Sequence, residues 1–197
     1  MRLVGGNLAL DLVNTRTAPP GGPWTDDALT SYADLVAWAV YAGALTAAEA
    51  GHLRRVARAD ADGARAALAQ TLAVRDQLDD VLRTIAQGGT PSTDALDALR
   101  DAEVDALSQG RPELAGALTW TWQDDRTLLR PLRPAVHAAV ELLSSGALDR
   151  VKHCGGCSFL FRDETKNGGR RWCSMEDCGR SEKIRRYVAA RRARTQV

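Results

Sequence analysis

Four cysteines, the only ones in the 197 residues, lie in the last quarter of the chain as Cys154-x2-Cys157, fifteen intervening residues, then Cys173-x4-Cys178. Two close pairs at this spacing are the arrangement by which thiolates surround one tetrahedral zinc ion. With four sulfur ligands the ion has no open position, so the expected role is structural. Gly155-Gly156 permits a tight knuckle between the first two ligands. Disulfides are the competing reading, disfavoured because Met1 to Val13 is broken by Gly5, Gly6, Asn7 and Asp11 and does not read as a secretory signal. A redox Cys-x-x-Cys would need a βαβ setting that the tail lacks. His153 adjoins Cys154 and reads as a bystander beside four thiols.

The net charge of +1 hides two opposed modules. Residues 1–149 carry 13 Arg, no Lys and 20 acids, for −7, whereas residues 150–197 carry 13 Lys plus Arg and 5 acids, for +8. A division into a domain of 1–149 and a finger of 150–197 follows, the finger facing something anionic. At 45% hydrophobic and 26% charged, with no apolar run of the ~18 residues a bilayer demands, the chain reads as globular and without a membrane span. The cytoplasm is the expected compartment.

Most of the first module reads as helix, rich in Ala, Leu and Arg, with apolar residues three and four apart. Leu8, Leu12 and Val13 form a short amphipathic stretch before the breaker-rich Pro19-Pro20-Gly21-Gly22-Pro23. Thr30 or Ser31 caps a helix carrying Leu35, Val36 and Trp38 that Gly43 ends, and Thr46 with Glu49 forms a capping box opening the next, to about Arg58. A longer helix is predicted over 64–85, with Leu68, Leu72, Leu78, Val81, Leu82 and Ile85 inward. Ser92 or Thr93 caps another segment, and Pro131 or Pro134 starts one that Ser144-Ser145-Gly146 closes. Between them, 114–132 is ambiguous: Leu118, Trp120 and Trp122 alternate as a strand would, and the rest is mixed. Trp38, Trp120 and Trp122 are expected in the core, while His52 and His137 read as isolated.

In the tail, Ser158–Arg162 and Arg170–Trp172 flank Asn167-Gly168-Gly169 and read as a hairpin, with Trp172 packed over the metal site against Phe159 or Phe161. From Ser181 a basic helix follows, with Ile184, Tyr187 and Val188 as its apolar seam. So few apolar residues in 48 cannot fold by burial alone, which makes metal binding part of folding. The fold class is thus mainly α: a helical domain, then a small treble-clef-like or ribbon-like four-cysteine zinc finger ending in a basic helix.

The tail Trp172-Cys173-Ser174-Met175-Glu176-Asp177-Cys178-Gly179-Arg180-Ser181-Glu182-Lys183 resembles the CGNR zinc-finger family, although Arg180 and Ser181 stand where that family has Asn and Arg. The front, with Gly5-Gly6, Leu10-Asp11-Leu12-Val13-Asn14-Thr15, Leu29, Asp34-Leu35, Trp38 and Gly43, resembles the ABATE domain that precedes this finger. The resemblance implies a stress-associated transcriptional regulator, with DNA bound by the finger and a ligand sensed by the helical domain.

Independently of that resemblance, the surplus of eight charges falls to about six when four thiolates meet one Zn2+, still a footprint for phosphates. A helix over 181–194 is about 20 Å long at ~1.5 Å per residue, enough to cross a major groove. The expected contacts to double-stranded DNA are Lys183, Arg185 and Arg186, then Lys166, Asn167, Arg170 and Arg171 on the hairpin, Arg180 as a displaced guanidinium, and Arg191, Arg192 and Arg194 extending the footprint. So small a reader calls for a homodimer or a second contact surface. Asp11, Asn14, Arg16 and Trp24 are candidates to line a small-molecule effector site, with capping and interhelical hydrogen bonding as the alternative for the first three. A protein-interaction adaptor that never touches DNA is the competing function. No paired carboxylates, activated nucleophile or open metal site argues for an enzyme.

Overall fold

A computed structural model describes residues 2–19, 21–122 and 127–195. Pro20 of the breaker loop, residues 123–126 of the ambiguous stretch and the side chain of Arg194 lie outside the described residues. Among the described residues, six helices build the first module: α1 (Leu8–Val13), α2 (Tyr32–Tyr41), α3 (Ala47–Ala59), α4 (Ala61–Ala86), α5 (Thr93–Ser108) and α6 (Arg133–Ser144). Their starts follow local chemistry. Ser31 and Asp34 form a reciprocal capping box on α2, and Thr46 and Glu49 form one on α3. Ser92 caps α5, and Pro134 occupies the first turn of α6, where its missing N–H costs nothing. Helix α4 starts earlier than its apolar pattern suggests because Asp60 accepts from the Gly63 amide.

The core gathers around α1, whose Ala9, Leu10, Leu12 and Val13 are sealed between α4 and α6. Leu35, Val36 and Trp38 of α2, Leu53 of α3 and Leu78 and Leu82 of α4 complete it. Helix α4 also buries a polar stripe that the apolar count misses: Thr71, Arg75 and Asp79. Arg75 is bidentate to Asp27 at 2.8 and 2.7 Å, which ties α4 to β2 (Asp26–Asp27), the partner of β1 (Arg16–Thr17).

The stretch left ambiguous contains strands. β3 (Gly110–Ala115) and β4 (Ala117–Trp122) form an antiparallel hairpin that turns at Gly116, where φ is +80° and a side chain would be strained. Trp120 and Trp122 are therefore not core residues, as the sequence led one to expect. They stand half-exposed on this hairpin, each edge-on to His137 at 5.7 and 5.8 Å. His137 is correspondingly not isolated, since its Nδ1 lies 2.6 Å from Glu103.

The tail begins with β5 (Val151–His153), paired antiparallel with β6 (Leu160–Arg162), and ends with α7 (Arg180–Thr195). This corrects the hairpin expected across Asn167-Gly168-Gly169: β6 pairs backward, across the cysteine knuckle, while 170–172 stays irregular. Residues 163–170 form a loop folded around Asp163 instead. The buried Asp163 carboxylate accepts from Lys152 Nζ (2.8 Å), from the Thr165 amide and hydroxyl (3.0 and 2.6 Å) and from the Arg170 amide (2.9 Å).

The β5–β6 hairpin is built into the helical core. Val151 and Leu160 belong to the main apolar cluster, where each contributes about 1.5–3 kcal/mol by leaving water. Asn14 at the end of α1 donates from Nδ2 to the Leu160 carbonyl (2.8 Å) and accepts the Leu160 amide on Oδ1 (2.9 Å), so one side chain supplies the pairing a neighbouring strand would. Two residues further along the same edge the Arg162 amide donates to the Gly5 carbonyl at 2.7 Å.

Candidate metal centre and basic surface

Each cysteine is placed by a different local device. Cys154 leaves β5 with its amide on the Phe159 carbonyl (2.9 Å), which closes the knuckle that carries Cys157. The Gly155 amide donates to the Arg171 carbonyl at 3.0 Å and so brings the irregular segment before Cys173 alongside. A side chain could not sit at either knuckle glycine. A Cβ on Gly155 would meet the Trp172 ring at 2.7 Å, and one on Gly156 the Cys178 Cβ at 2.9 Å. Cys178 lies in a wide helical turn (Met175–Gly179), capped by Ser174 and continuous with α7. Trp172 and Phe159 pack against Cys154, Cys173 and Phe161, a small apolar shell as the sequence suggested.

The four sulfur atoms all lie within 4.8 Å of one another, with Cys157 to Cys173 at 3.6 Å and Cys173 to Cys178 at 3.7 Å. A tetrahedron with Zn–S bonds of about 2.3 Å has edges of about 3.8 Å, so the set is the right size for one zinc ion. None of the four is in a disulfide. Two amides already point at the Cys154 sulfur, from Gly156 (3.4 Å) and Cys173 (3.3 Å), as they would toward a metal thiolate. The electrostatics also call for a cation. Donation from the Cys157 and Cys173 thiols pulls the Cys154 thiol far down, while the same contacts push Cys157 up to about 12 and Cys173 further up. Four thiolates at this spacing cannot coexist without positive charge between them. The cluster binds one structural zinc ion. His153 is outside it, exposed, with Nδ1 on its neighbour's carbonyl at 2.9 Å.

The basic residues around this centre divide into two groups. Arg170 turns inward: its guanidinium lies 4.5 Å over Phe161 and donates to the Trp172 carbonyl at 2.9 Å and to the carbonyl of Cys173. It thereby fixes the approach to the third ligand. Lys166, Asn167 and Arg171 are exposed on and beside the Asp163 loop. Arg180, Lys183, Arg185, Arg186, Arg191 and Arg192 are exposed along α7, with Arg185 and Arg186 both reaching Glu182, at 2.8 and 2.9 Å.

Of the four residues considered for an effector, Arg16 and Trp24 come together, with the guanidinium 4.1 Å over the indole. Arg16 also pairs with Asp76 (3.0 Å) and Asp79 (3.2 Å). Asp11 accepts the Gly5 amide at 2.8 Å, and burial raises its pKa against that bond; Asn14 is spent on Leu160. Sequence reasoning missed Arg83, which holds Asp79 at 2.7 Å and donates twice to the Ser158 carbonyl at 3.2 Å, one residue past Cys157. It also missed Asp163, whose Asx turn to Thr165 was a legible signal.

A mainly helical domain that carries a four-cysteine zinc finger and ends in a basic helix defines the class. Residues 6–146 match the ABATE family model, described as "Putative stress-induced transcription regulator", and residues 150–193 match the CGNR zinc finger. The chain belongs to the ABATE family and ends in a CGNR zinc finger; neither description is that of an enzyme family. Comparison with curated proteins returned no match. No described helix is long and apolar enough to cross a membrane.

Proposed function

We propose that the protein is a zinc-dependent transcriptional regulator of the cytoplasm that binds double-stranded DNA through residues 150–197, with 1–149 as its sensing or dimerising domain, and that it has no catalytic role. One observation carries this reading: α7 is exposed along nearly all of its described length and holds seven basic residues against one acid. At ~1.5 Å per residue its 16 residues span about 24 Å, and a major groove about 12 Å wide accepts such a helix. Lys183, Arg185 and Arg186 would meet groove and backbone, joined by Arg180, Arg191 and Arg192, while Lys166, Asn167 and Arg171 would grip flanking phosphates. Arg170 serves this reading indirectly, by shaping the finger.

For the effector, a cleft of about 380 Å3 between α4, α5 and α6, floored by Val74, Ala102, Leu132 and Val136, is a candidate beside Asp11, Asn14, Arg16 and Trp24. The test is a mobility-shift titration of the zinc-loaded protein with a random duplex pool. Binding that weakens steeply with salt and is lost in Cys173→Ser supports the reading. A stoichiometric protein partner with no shift of any duplex would replace it with the adaptor.

A further inference from the structure

At the joint between the helical domain and the finger the surface opens into a cleft of about 490 Å3. Clefts of roughly 300–1,000 Å3 take small molecules, and they favour domain boundaries. This one lies at the opposite end of α4, α5 and α6 from the cleft floored by Val74 and Val136, and shares no residue with it. Its walls are Ile85 near the end of α4, Leu96 near the start of α5, Leu143 near the end of α6, and Pro91 and Leu148. The gap stays open because the link from α4 to α5 begins with Gly88-Gly89, which put no side chain into it; Gly88 turns at φ +76°, where one would be strained. Leu96 and Leu148 are left 44% and 37% exposed, an apolar surface that a bound apolar group would take out of water.

The charge around this cleft has one sign. Among the described residues Asp149 is the sole charged group lining it. Helices α4 and α6 both end beside it and bring their negative dipole ends to it, and the last turn of α6 holds no base. Arg83, the base in the last turn of α4, is spent on Asp79 and on the Ser158 carbonyl. Arg150 comes only to 3.7 Å from Asp149, because its Nη1 is held by the Thr165 carbonyl at 2.7 Å. The same wall leads into the finger. Leu148 and Asp149 belong to one turn of 3-10 helix (Leu148–Arg150) that packs on α4 and runs directly into β5. The Arg150 carbonyl accepts the Asp163 amide at 2.7 Å, and the first zinc ligand, Cys154, follows within the next few residues.

We infer that this cleft binds a small aliphatic or aromatic amine, its apolar body against Ile85, Leu96, Leu143 and Leu148 and its cationic head at Asp149, and that filling it steadies the turn at the root of the finger. Charge complementarity selects the head: an anion would meet a carboxylate and two helix C-termini with no base to receive it. The body is selected by the aliphatic walls. Binding here does not depend on whether the finger reads DNA.

Matched eight-carbon probes test this on the full zinc-loaded chain by titration calorimetry. n-Octylammonium should bind once per chain with a Kd of about 1 mM or tighter, and n-octanol and octanoate should bind more weakly. Asp149→Asn changes an exposed side chain, and it should cut the preference for octylammonium over octanol by roughly 1.5–5-fold, the range of one exposed ion pair. Leu96→Lys places a fixed cation in the cleft and should abolish octylammonium binding, with an unchanged melting temperature showing that the variant is folded. At about ten times its Kd octylammonium should slow zinc transfer to a chelator at least twofold in wild type and not in Leu96→Lys. No binding of octylammonium up to about 10 mM, octanoate binding as tightly, or Leu96→Lys binding like wild type overturns the site. Zinc transfer indifferent to bound octylammonium overturns the coupling. A dimer at about 100 μM that both octylammonium and Leu96→Lys dissolve would put a second copy in the cleft and overturn the small-molecule occupant. None of these outcomes turns on a duplex, so loss of the DNA reading would leave them as they stand.

Discussion

Asn14 and Leu160, 146 residues apart, are joined by two buried hydrogen bonds in opposite directions, at 2.8 and 2.9 Å. The amide side chain at the end of α1 thereby acts as the missing neighbour of β6, three residues past a zinc ligand. With Arg83 on the Ser158 carbonyl and Gly5 on the Arg162 amide, it makes the finger an extension of the helical core. Replacing Asn14 with Leu should leave the Leu160 amide and carbonyl buried without partners, at about 2–4 kcal/mol. Urea unfolding monitored by circular dichroism should show that loss, and zinc should be released to a chelator faster. An unchanged midpoint would mean that the bonds carry no stability.

Zinc removal is expected to propagate. Because Val151 and Leu160 sit in the main core, chelation should lower amide protection in α1 and α4 as well as in the finger. Hydrogen exchange with and without chelator reads this directly. Loss of protection restricted to 154–195 would contradict the packing.

Asp163 sets an acid limit on the finger. Burial raises its pKa, but Lys152, Thr165 and the Arg170 amide outweigh burial and hold the carboxyl well below its ordinary range. A folded pKa below the unfolded value, about 3.9, gives stability that is present above that value and lost as pH falls toward the folded one. The melting temperature of wild type should therefore exceed that of Asp163→Asn at pH 6, and the gap should begin to narrow only as pH falls below about 4. A gap that is constant with pH would show that the carboxylate charge is not the source.

DNA affinity should follow counterion release. Each phosphate contact removed from α7, as in Arg186→Ala, should reduce the slope of log affinity against log salt by about 0.9. Arg170→Ala should act differently, by disturbing zinc retention, because its guanidinium serves carbonyls at the third ligand. Equal behaviour of the two variants would argue against separating an inner from an outer set of arginines.

What could be read from the sequence was what short-range chemistry decides. The capping box of Thr46 and Glu49, the Gly43 stop and each of the two close cysteine pairs lie within a few residues and appear as expected. The β5–β6 pairing was hidden because its strands are three residues long and the link between them is a metal knuckle rather than a turn dipeptide. Arg75 and Asp79 were unreadable as core because their partners, Asp27 and Arg16, lie 48 and 63 residues away. The alternation through Trp120 and Trp122 announced a strand, but alternation alone does not say whether a neighbouring layer covers it, and the hairpin leaves Leu114 and Leu118 exposed.

The most direct test is a duplex-binding titration with metal content measured on the same sample while zinc is withdrawn stepwise. The account predicts one zinc per chain in the starting material and DNA affinity that falls in proportion to the zinc lost, returning when zinc is restored. Affinity that is indifferent to zinc, or a folded and metal-free protein, would contradict it.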